Sequence, residues 1–239
     1  MKTTAHVIAP ARPCSYLPGE RARMEYQVVL RMEPAEYLDR LRAGWRRFGR
    51  TLFRPRCRSC AACRSIRIDP GRFLPDRSMR RVRDRNLGAV ELSVGLAAGL
   101  PDREVLDLYD RYHRDQSLRL GWPAHEPGAP EEFREAFLDN PIPTQEWRYR
   151  VDGRLVGVGY VDDLPGATSA IYFFYDPGER SRSPGTWNIL SLLSRAAEEG
   201  REHVYLGYYV AGCRSLSYKG RFGPSELLGE DGRWLPFRG

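Results

Sequence analysis

The chain has 239 residues, 41% of them hydrophobic, and 38 basic residues against 31 acidic ones give a net charge of +7. That apolar content suffices for a packed core, whereas no unbroken apolar run approaches the roughly 20 residues that span a bilayer and the first residues lack a secretory signal pattern. The expectation is a cytoplasmic protein with reduced cysteines and a polyanionic partner, nucleic acid first, rather than a membrane-spanning or disulfide-framed secreted one.

In chain order, residues 1–13 contain Pro10 and Pro13 and no periodic apolar pattern, so they read as a loose leader. From Glu33 onward, Tyr37, Leu38, Leu41, Trp45 and Phe48 recur at helical spacing. This predicts one amphipathic helix as far as Phe48, with Arg40, Arg42, Arg46 and Arg47 on its outer face, where they would meet nucleic-acid phosphates. Cys57, Cys60 and Cys63 follow at three-residue intervals, a spacing that lets consecutive thiols point into one site. Cys14, beside the Tyr16-Leu17-Pro18-Gly19 turn, is the candidate fourth ligand for zinc or an iron–sulfur cluster, the alternative being buried or free thiols. Ser65 to Asp69 alternates like a short strand, Arg77 to Arg85 makes a basic helix, and Val90 to Val94 makes a second strand.

The second half opens near Pro101, where Val105, Leu106, Leu108, Tyr109 and Tyr112 define an amphipathic helix, and a shorter one is expected from Pro130 to Asp139. Asp152-Gly153 is a hairpin signal between two strand-like runs, and Ser169 to Asp176 is a third strand. A helix from Thr186 to Glu199 stops at Gly200, and His203 to Val210 is a further strand. The predicted fold class is therefore α+β. The element order is that of the GNAT acyltransferase fold, with a mixed sheet in residues 99–239 and a smaller cysteine-containing region over residues 14–98. In such a fold Arg180, Arg182, Gly185 and Thr186 would form an anion site at a helix N-terminus. The Gly-x-Gly pattern of coenzyme-A users is missing, which argues against a small-molecule N-acetyltransferase.

Among the 38 basic residues only Lys2 and Lys219 are lysine. Arginine offers a permanent planar fork and lysine a compact ammonium with a tunable pKa, so an internal lysine in so arginine-biased a chain marks a place where guanidinium does not substitute. The plainer alternative is one more surface residue.

Several separated motifs point further. Cys14-Ser-Tyr-Leu-Pro-Gly-Glu20, Phe53-Arg-Pro-Arg-Cys-Arg-Ser-Cys-Ala-Ala-Cys63 with Arg67, and Phe73-Leu-Pro-Asp-Arg-Ser-Met-Arg-Arg81 resemble the N-terminal region of arginyl-tRNA–protein transferases and their bacterial leucyl-transferring relatives. Tyr172-Phe-Phe-Tyr-Asp-Pro177, Gly185-Thr186, Tyr205-Leu-Gly-Tyr-Tyr209, Gly212-Cys213 and Tyr218-Lys219 resemble their C-terminal region. The resemblance implies a GNAT-like catalytic domain that moves an aminoacyl group from charged tRNA to a protein N-terminus, marking the protein for degradation. Cys14-Ser-Tyr-Leu17 follows the bacterial pattern, which implies leucine as donor and N-terminal Asp or Glu as acceptor; Met79 stands where bacterial relatives commonly have glutamine. Arginyl transfer by the same chemistry, and a thiol-metal RNA-binding module without turnover, are the alternatives.

The chemistry needs positioning more than a nucleophile, because an N-terminal amine is itself nucleophilic. Lys219 and Tyr218 are expected near the reacting ester. Asp176 would either hold the attacking amine or merely cap a turn. Arg77, Arg80 and Arg81 are expected to bind the acidic acceptor residue or tRNA, and Arg180, Arg182 and Thr186 the terminal phosphates.

Overall fold

A computed structural model describes residues 1–127 and 130–239. Strands β1 (Lys2–Ile8), β2 (Arg12–Pro13), β3 (Arg21–Ala22) and β4 (Met24–Arg31) precede helix α1 (Pro34–Arg42), and β5 (Arg46–Phe48) and β6 (Thr51–Pro55) follow it. They form an antiparallel sheet in the order β1-β4-β6-β5, with β2 and β3 as a separate ribbon. Two expectations are corrected here. Residues 1–13 are not a loose leader over their first part, because β1 pairs with β4 along its length; every residue of β1 is exposed, so no burial alternation marks it in the sequence. The helix expected to reach Phe48 ends at Arg42, because Gly44 takes a left-handed φ of 84° that terminates it, and the chain re-emerges as β5. Gly49 makes the next turn, and any Cβ there would lie 1.8 Å from the Glu135 carbonyl oxygen.

Beyond β6 come β7 (Arg64–Ile68), α2 (Arg77–Asn86), β8 (Glu91–Leu96), α3 (Arg103–Leu120) and α4 (Pro130–Phe133), which runs into a π turn at Arg134–Leu138. Then follow β9 (Thr144–Val151), β10 (Arg154–Leu164), β11 (Ala167–Tyr175), a 3-10 turn (Pro177–Arg182), α5 (Pro184–Glu198), β12 (His203–Tyr209), α6 (Arg214–Ser217), a 3-10 turn (Tyr218–Arg221), β13 (Ser225–Leu228) and β14 (Trp234–Phe237). The hairpin between β9 and β10 turns where expected, with Asp152 and Gly153 both at positive φ (49° and 76°), a backbone that matches the strands' twist.

The large sheet has the order β14-β13-β7-β12-β11-β10-β9-β8, and it is mixed: β11 and β12 are parallel and their neighbours antiparallel. The fold is thus α+β, as the sequence indicates. The sheet does not respect a boundary at residue 98, since β7 lies in its interior between β13 and β12 and β8 forms one edge. The parallel ladder covers only Ala167–Ser169 against His203–Tyr205, although both strands continue, so β11 and β12 part company beyond it. On its other edge β12 breaks register against β7 between Tyr205 and Tyr208, around Gly207 with its φ of 81°.

One face of the large sheet is covered by α2 and α5 and the other by α3 and the π turn. A third apolar cluster joins the sheets: Val29, Leu38, Leu41, Trp45 and Leu52 pack with Leu164, Ala167 and Tyr205. At about 1.5–3 kcal/mol for each large apolar side chain, a junction of this size fixes the N-terminal sheet on the large one.

Candidate active site

The register break in β12 frees carbonyls, and two cations take them. Arg46, at the start of β5, donates from its guanidinium to Gly207 O at 3.1 Å; Lys219 Nζ donates to the next carbonyl, Tyr208 O, at 3.1 Å. Gly207 is needed for its left-handed backbone, and a Cβ there would also lie 3.5 Å from Lys219 Nζ. Arg46 is 5% exposed, donates to the Leu41 and Trp45 carbonyls, and lies over the rings of Tyr205 and Tyr208 at 5.7 and 5.4 Å. Its Nε has no partner, and among the described residues no carboxylate pairs with it.

Lys219 belongs to the 3-10 turn after α6, whose buried Gly220 packs against the rings of Tyr209 and Phe237. Burial and then the Arg46 charge lower the Lys219 ammonium to about 7, against a smaller opposing effect of Cys213. Tyr218 keeps 37% of its surface exposed, yet its hydroxyl is pushed up to about 12 by burial and by neighbouring Tyr175. Lys219 and Tyr218 thus stand where β11 and β12 diverge.

The same turn is fastened to α2. Arg221 donates to Ser78 Oγ at 2.6 Å and to Asp76 at 3.3 Å, and Phe222 stacks on Phe73. Asp76 caps α2 by accepting from Met79 N at 2.8 Å; that amide, Ser78 and Arg221 lower its carboxyl to about 2. Met79 is 1% exposed and packs in the core, which leaves the flanking arginines outside. Arg77, Arg80 and Arg81 are exposed and, among the described residues, have no ion-pair partner.

Arg180 and Arg182 differ in this respect. Arg180 pairs with Asp115, and Arg182 Nε donates to Glu179 at 2.8 Å, so both charges are met within the protein. Gly185 and Thr186 lie in the first turn of α5, which has no side-chain cap. Asp176 accepts from Gly178 N at 2.8 Å as the cap of the preceding 3-10 turn and pairs with Arg154 and Arg111. Those contacts are the capping arrangement, and they occupy the carboxylate that the sequence offered as a holder of the attacking amine.

The cationic face expected on α1 does not exist in that form. Arg46 and Arg47 are both buried; Arg47 makes a two-pronged pair with the fully buried Asp162, one prong at 3.0 Å, and also donates to Asn140 and Thr144. Arg42 pairs with Asp39 on the surface. Sequence pattern misplaces Arg46 on an outer helix face and passes over Asp162, because both draw their meaning from contacts more than 100 residues away in the chain.

Cys14, Cys57, Cys60 and Cys63 line one cavity of about 590 Å³ together with Tyr16, Tyr208 and other aromatic and basic residues. Burial, then the neighbouring thiols of Cys14, Cys57, Cys60 and Cys213, push the Cys63 thiol up to about 12. The fifth cysteine therefore joins the four that the sequence groups. Among the described residues no set of three His, Cys, Asp or Glu side chains is arranged to hold a metal ion, so the thiols as placed do not form a ligand shell.

With this geometry in hand, similarity to known proteins is informative. The family model described as "Arginine-tRNA-protein transferase, N terminus" matches residues 12–81, and the one described as "Arginine-tRNA-protein transferase, C terminus" matches residues 104–229. Proteins named aspartate/glutamate leucyltransferase from Pseudomonas fluorescens (strain SBW25) and Pseudomonas syringae pv. syringae (strain B728a) are 37% and 36% identical over 233 residues, covering 93% of this chain and 92% of each relative. Among solved structures, the C-terminal domain of a putative lysylphosphatidylglycerol synthetase from Agrobacterium fabrum matches with TM-score 0.46 and 13% identity, covering 86% of this chain and 70% of that one. FemX matches with TM-score 0.44 and 10% identity, covering 84% and 79%.

Proposed function

The chain belongs to the arginine-tRNA–protein transferase family, and from that premise we propose that it moves leucine from leucyl-tRNA to the N-terminal Asp or Glu of proteins, marking them for degradation. The observation that carries the donor and acceptor is the near-full-length similarity to proteins named aspartate/glutamate leucyltransferase. The turn Cys14-Ser-Tyr-Leu17 supports it. An enzyme that consumes charged tRNA works where that tRNA is, in the cytoplasm.

The acceptor's neutral α-amine attacks the aminoacyl ester carbonyl, the new N–C bond replaces the C–O bond to the ribose, and the ribose oxygen leaves with a proton. Lys219 and Tyr218 are the residues beside the reacting ester, while Asp176 braces the loop that leads to α5. Arg77, Arg80 and Arg81 contact phosphates of the acceptor stem, having no carboxylate partner among the described residues. The first turn of α5, with Gly185 and Thr186, receives a terminal phosphate, and Arg180 and Arg182 add their charge to it from within their ion pairs. Zinc or an iron–sulfur cluster at Cys14, Cys57, Cys60 and Cys63 is given no step, since those thiols do not make a ligand set.

The test is purified protein with a labelled aminoacyl-tRNA pool and peptides that begin with Asp, Glu, Arg or Lys. Leucine is expected on the Asp and Glu peptides alone. Transfer of arginine without leucine would overturn the donor, and binding of tRNA with no transfer to any peptide would overturn the reaction.

A further inference from the structure

We propose that Arg46 is a positioning residue for the transfer reaction: its buried guanidinium, held on the carbonyl next to the one that holds Lys219 and met by no carboxylate among the described residues, fits that lysine to take up and return the proton moved during transfer. The proposal rests on the reading of Lys219 as the residue at the ester.

Geometry comes first. Arg46 and Lys219 reach β12 from different elements, β5 and the turn after α6, and are held on consecutive carbonyls, Gly207 O and Tyr208 O. Mere packing does not call for an arginine at position 46. A guanidinium that is 5% exposed, satisfied only by carbonyls and aromatic faces, with Nε unpartnered, costs more than an apolar side chain in the same space. The next residue, Arg47, has a buried carboxylate in Asp162; Arg46 has none.

A like charge at close range disfavours protonation, and of the two cations only the lysine can release its proton. The groups that bear on Lys219 are Arg46 from β5 and Cys213 from the turn after β12, and together with burial they bring the ammonium down to about 7. Arginine at position 46 therefore supplies a charge that does not titrate away, and lysine at 219 a group that does.

The proton balance closes without a further reagent. When the neutral α-amine adds to the ester carbonyl, its nitrogen becomes positively charged and the carbonyl oxygen negatively charged. Lys219 Nζ accepts one proton from that nitrogen and becomes an ammonium. As the carbonyl re-forms and the C–O bond to the ribose breaks with its electron pair, Lys219 returns the proton to the departing oxygen. The lysine ends as it began.

The chain's two lysines make the experiment direct. Protein labelled with 13C at lysine Cε gives two resonances, exposed Lys2 as the internal reference and Lys219 as the probe. In the wild type the Lys219 signal is expected to titrate near neutral pH, far below an ordinary lysine. In Arg46→Gln it moves upward by at least about one pH unit, and single-turnover transfer at neutral pH falls about tenfold, with the deficit closing as pH rises. Arg46→Met, which keeps the stem's packing, replaces Arg46→Gln if that variant fails to fold. A Lys219 signal that stays protonated up to the range of an ordinary lysine overturns the proposal, as does an Arg46 variant whose Lys219 titration and pH–rate profile match the wild type. The titration needs neither tRNA nor peptide. A neutral Lys219 in a protein that transfers nothing would therefore sink the functional reading alone, while normal transfer with a fully protonated Lys219 would sink this proposal alone.

Discussion

Two neighbouring residues of one three-residue strand differ in how they treat a buried positive charge. At Arg47 the charge is fully met: Asp162, Thr144 and Asn140 gather around the guanidinium, and the knot ties β5 to β10 and the loop before β9. At Arg46, among the described residues, there are only carbonyls and tyrosine faces, and the field of the charge reaches Lys219. Where charge is neutralised, the residues serve architecture; where it is left over, it is available to chemistry. The surface repeats the contrast, with Arg180 and Arg182 in ion pairs and Arg77, Arg80 and Arg81 without an acidic partner among the described residues.

The largest effect is expected at the neutralised residue. Asp162→Ala strands Arg47 in the interior and should cost about 3–5 kcal/mol in chemical denaturation, a large share of a domain's usual margin. The double change Arg47→Met with Asp162→Leu should recover most of it; a double variant as unstable as the single one would break the view of this pair as a self-contained knot.

On the other side of the contrast, Lys219→Arg fixes a permanent positive charge next to Arg46 and removes a group able to trade its proton. Transfer should fall by about 10²- to 10⁴-fold, and the melting temperature should drop as well, because the new charge has no carboxylate to meet it among the described residues. Wild-type turnover in this variant would return Lys219 to an ordinary surface role.

Converting Arg77, Arg80 and Arg81 together to glutamine sharpens the surface half of the contrast. Each phosphate left without its arginine should flatten the log–log salt dependence of tRNA affinity by about 0.9 on a duplex stem, while the KM for an acidic peptide holds. A raised peptide KM with an unchanged salt slope would assign these arginines to the acceptor carboxylate instead.

The smallest effect concerns Asp76, whose folded carboxyl is depressed to about 2 from an ordinary value near 3.8. Its contribution to stability is fully present above the ordinary value and is lost as pH falls toward 2. Thermal melts of wild type and Asp76→Ala should therefore differ by about 1 kcal/mol at neutral pH and converge in acid. Curves that stay parallel down to about pH 2 would show that the carboxylate does not act as the cap.

Local rules make the second half of the fold readable. Asp152-Gly153 dictates its own turn, and α3 and α5 are long enough for periodicity to speak. They fail where a short element borrows its neighbour's pattern: Trp45 and Phe48 continue the spacing of α1, and only the backbone at Gly44 says that the helix has ended. β1 has no buried face to betray it. In the site, Lys219 stands out because arginine is the rule elsewhere. Arg46 is one arginine among many, and its role depends on Gly207, 161 residues away. Cys213 joins the other thiols for the same long-range reason.

The interior position of β7 in the large sheet has a consequence for biosynthesis. Ile66 and Ile68, wholly covered in the folded protein, leave the ribosome long before β12 and β13, the strands that flank them. Until His203–Tyr209 has emerged β7 has two open edges, and until Ser225–Leu228 follows it still has one, so folding of the first half cannot be completed as it is made. The nascent chain is an exposed, strand-forming client for holding chaperones during most of its own synthesis, and a ribosome stalled before β13 would release a product ready to aggregate.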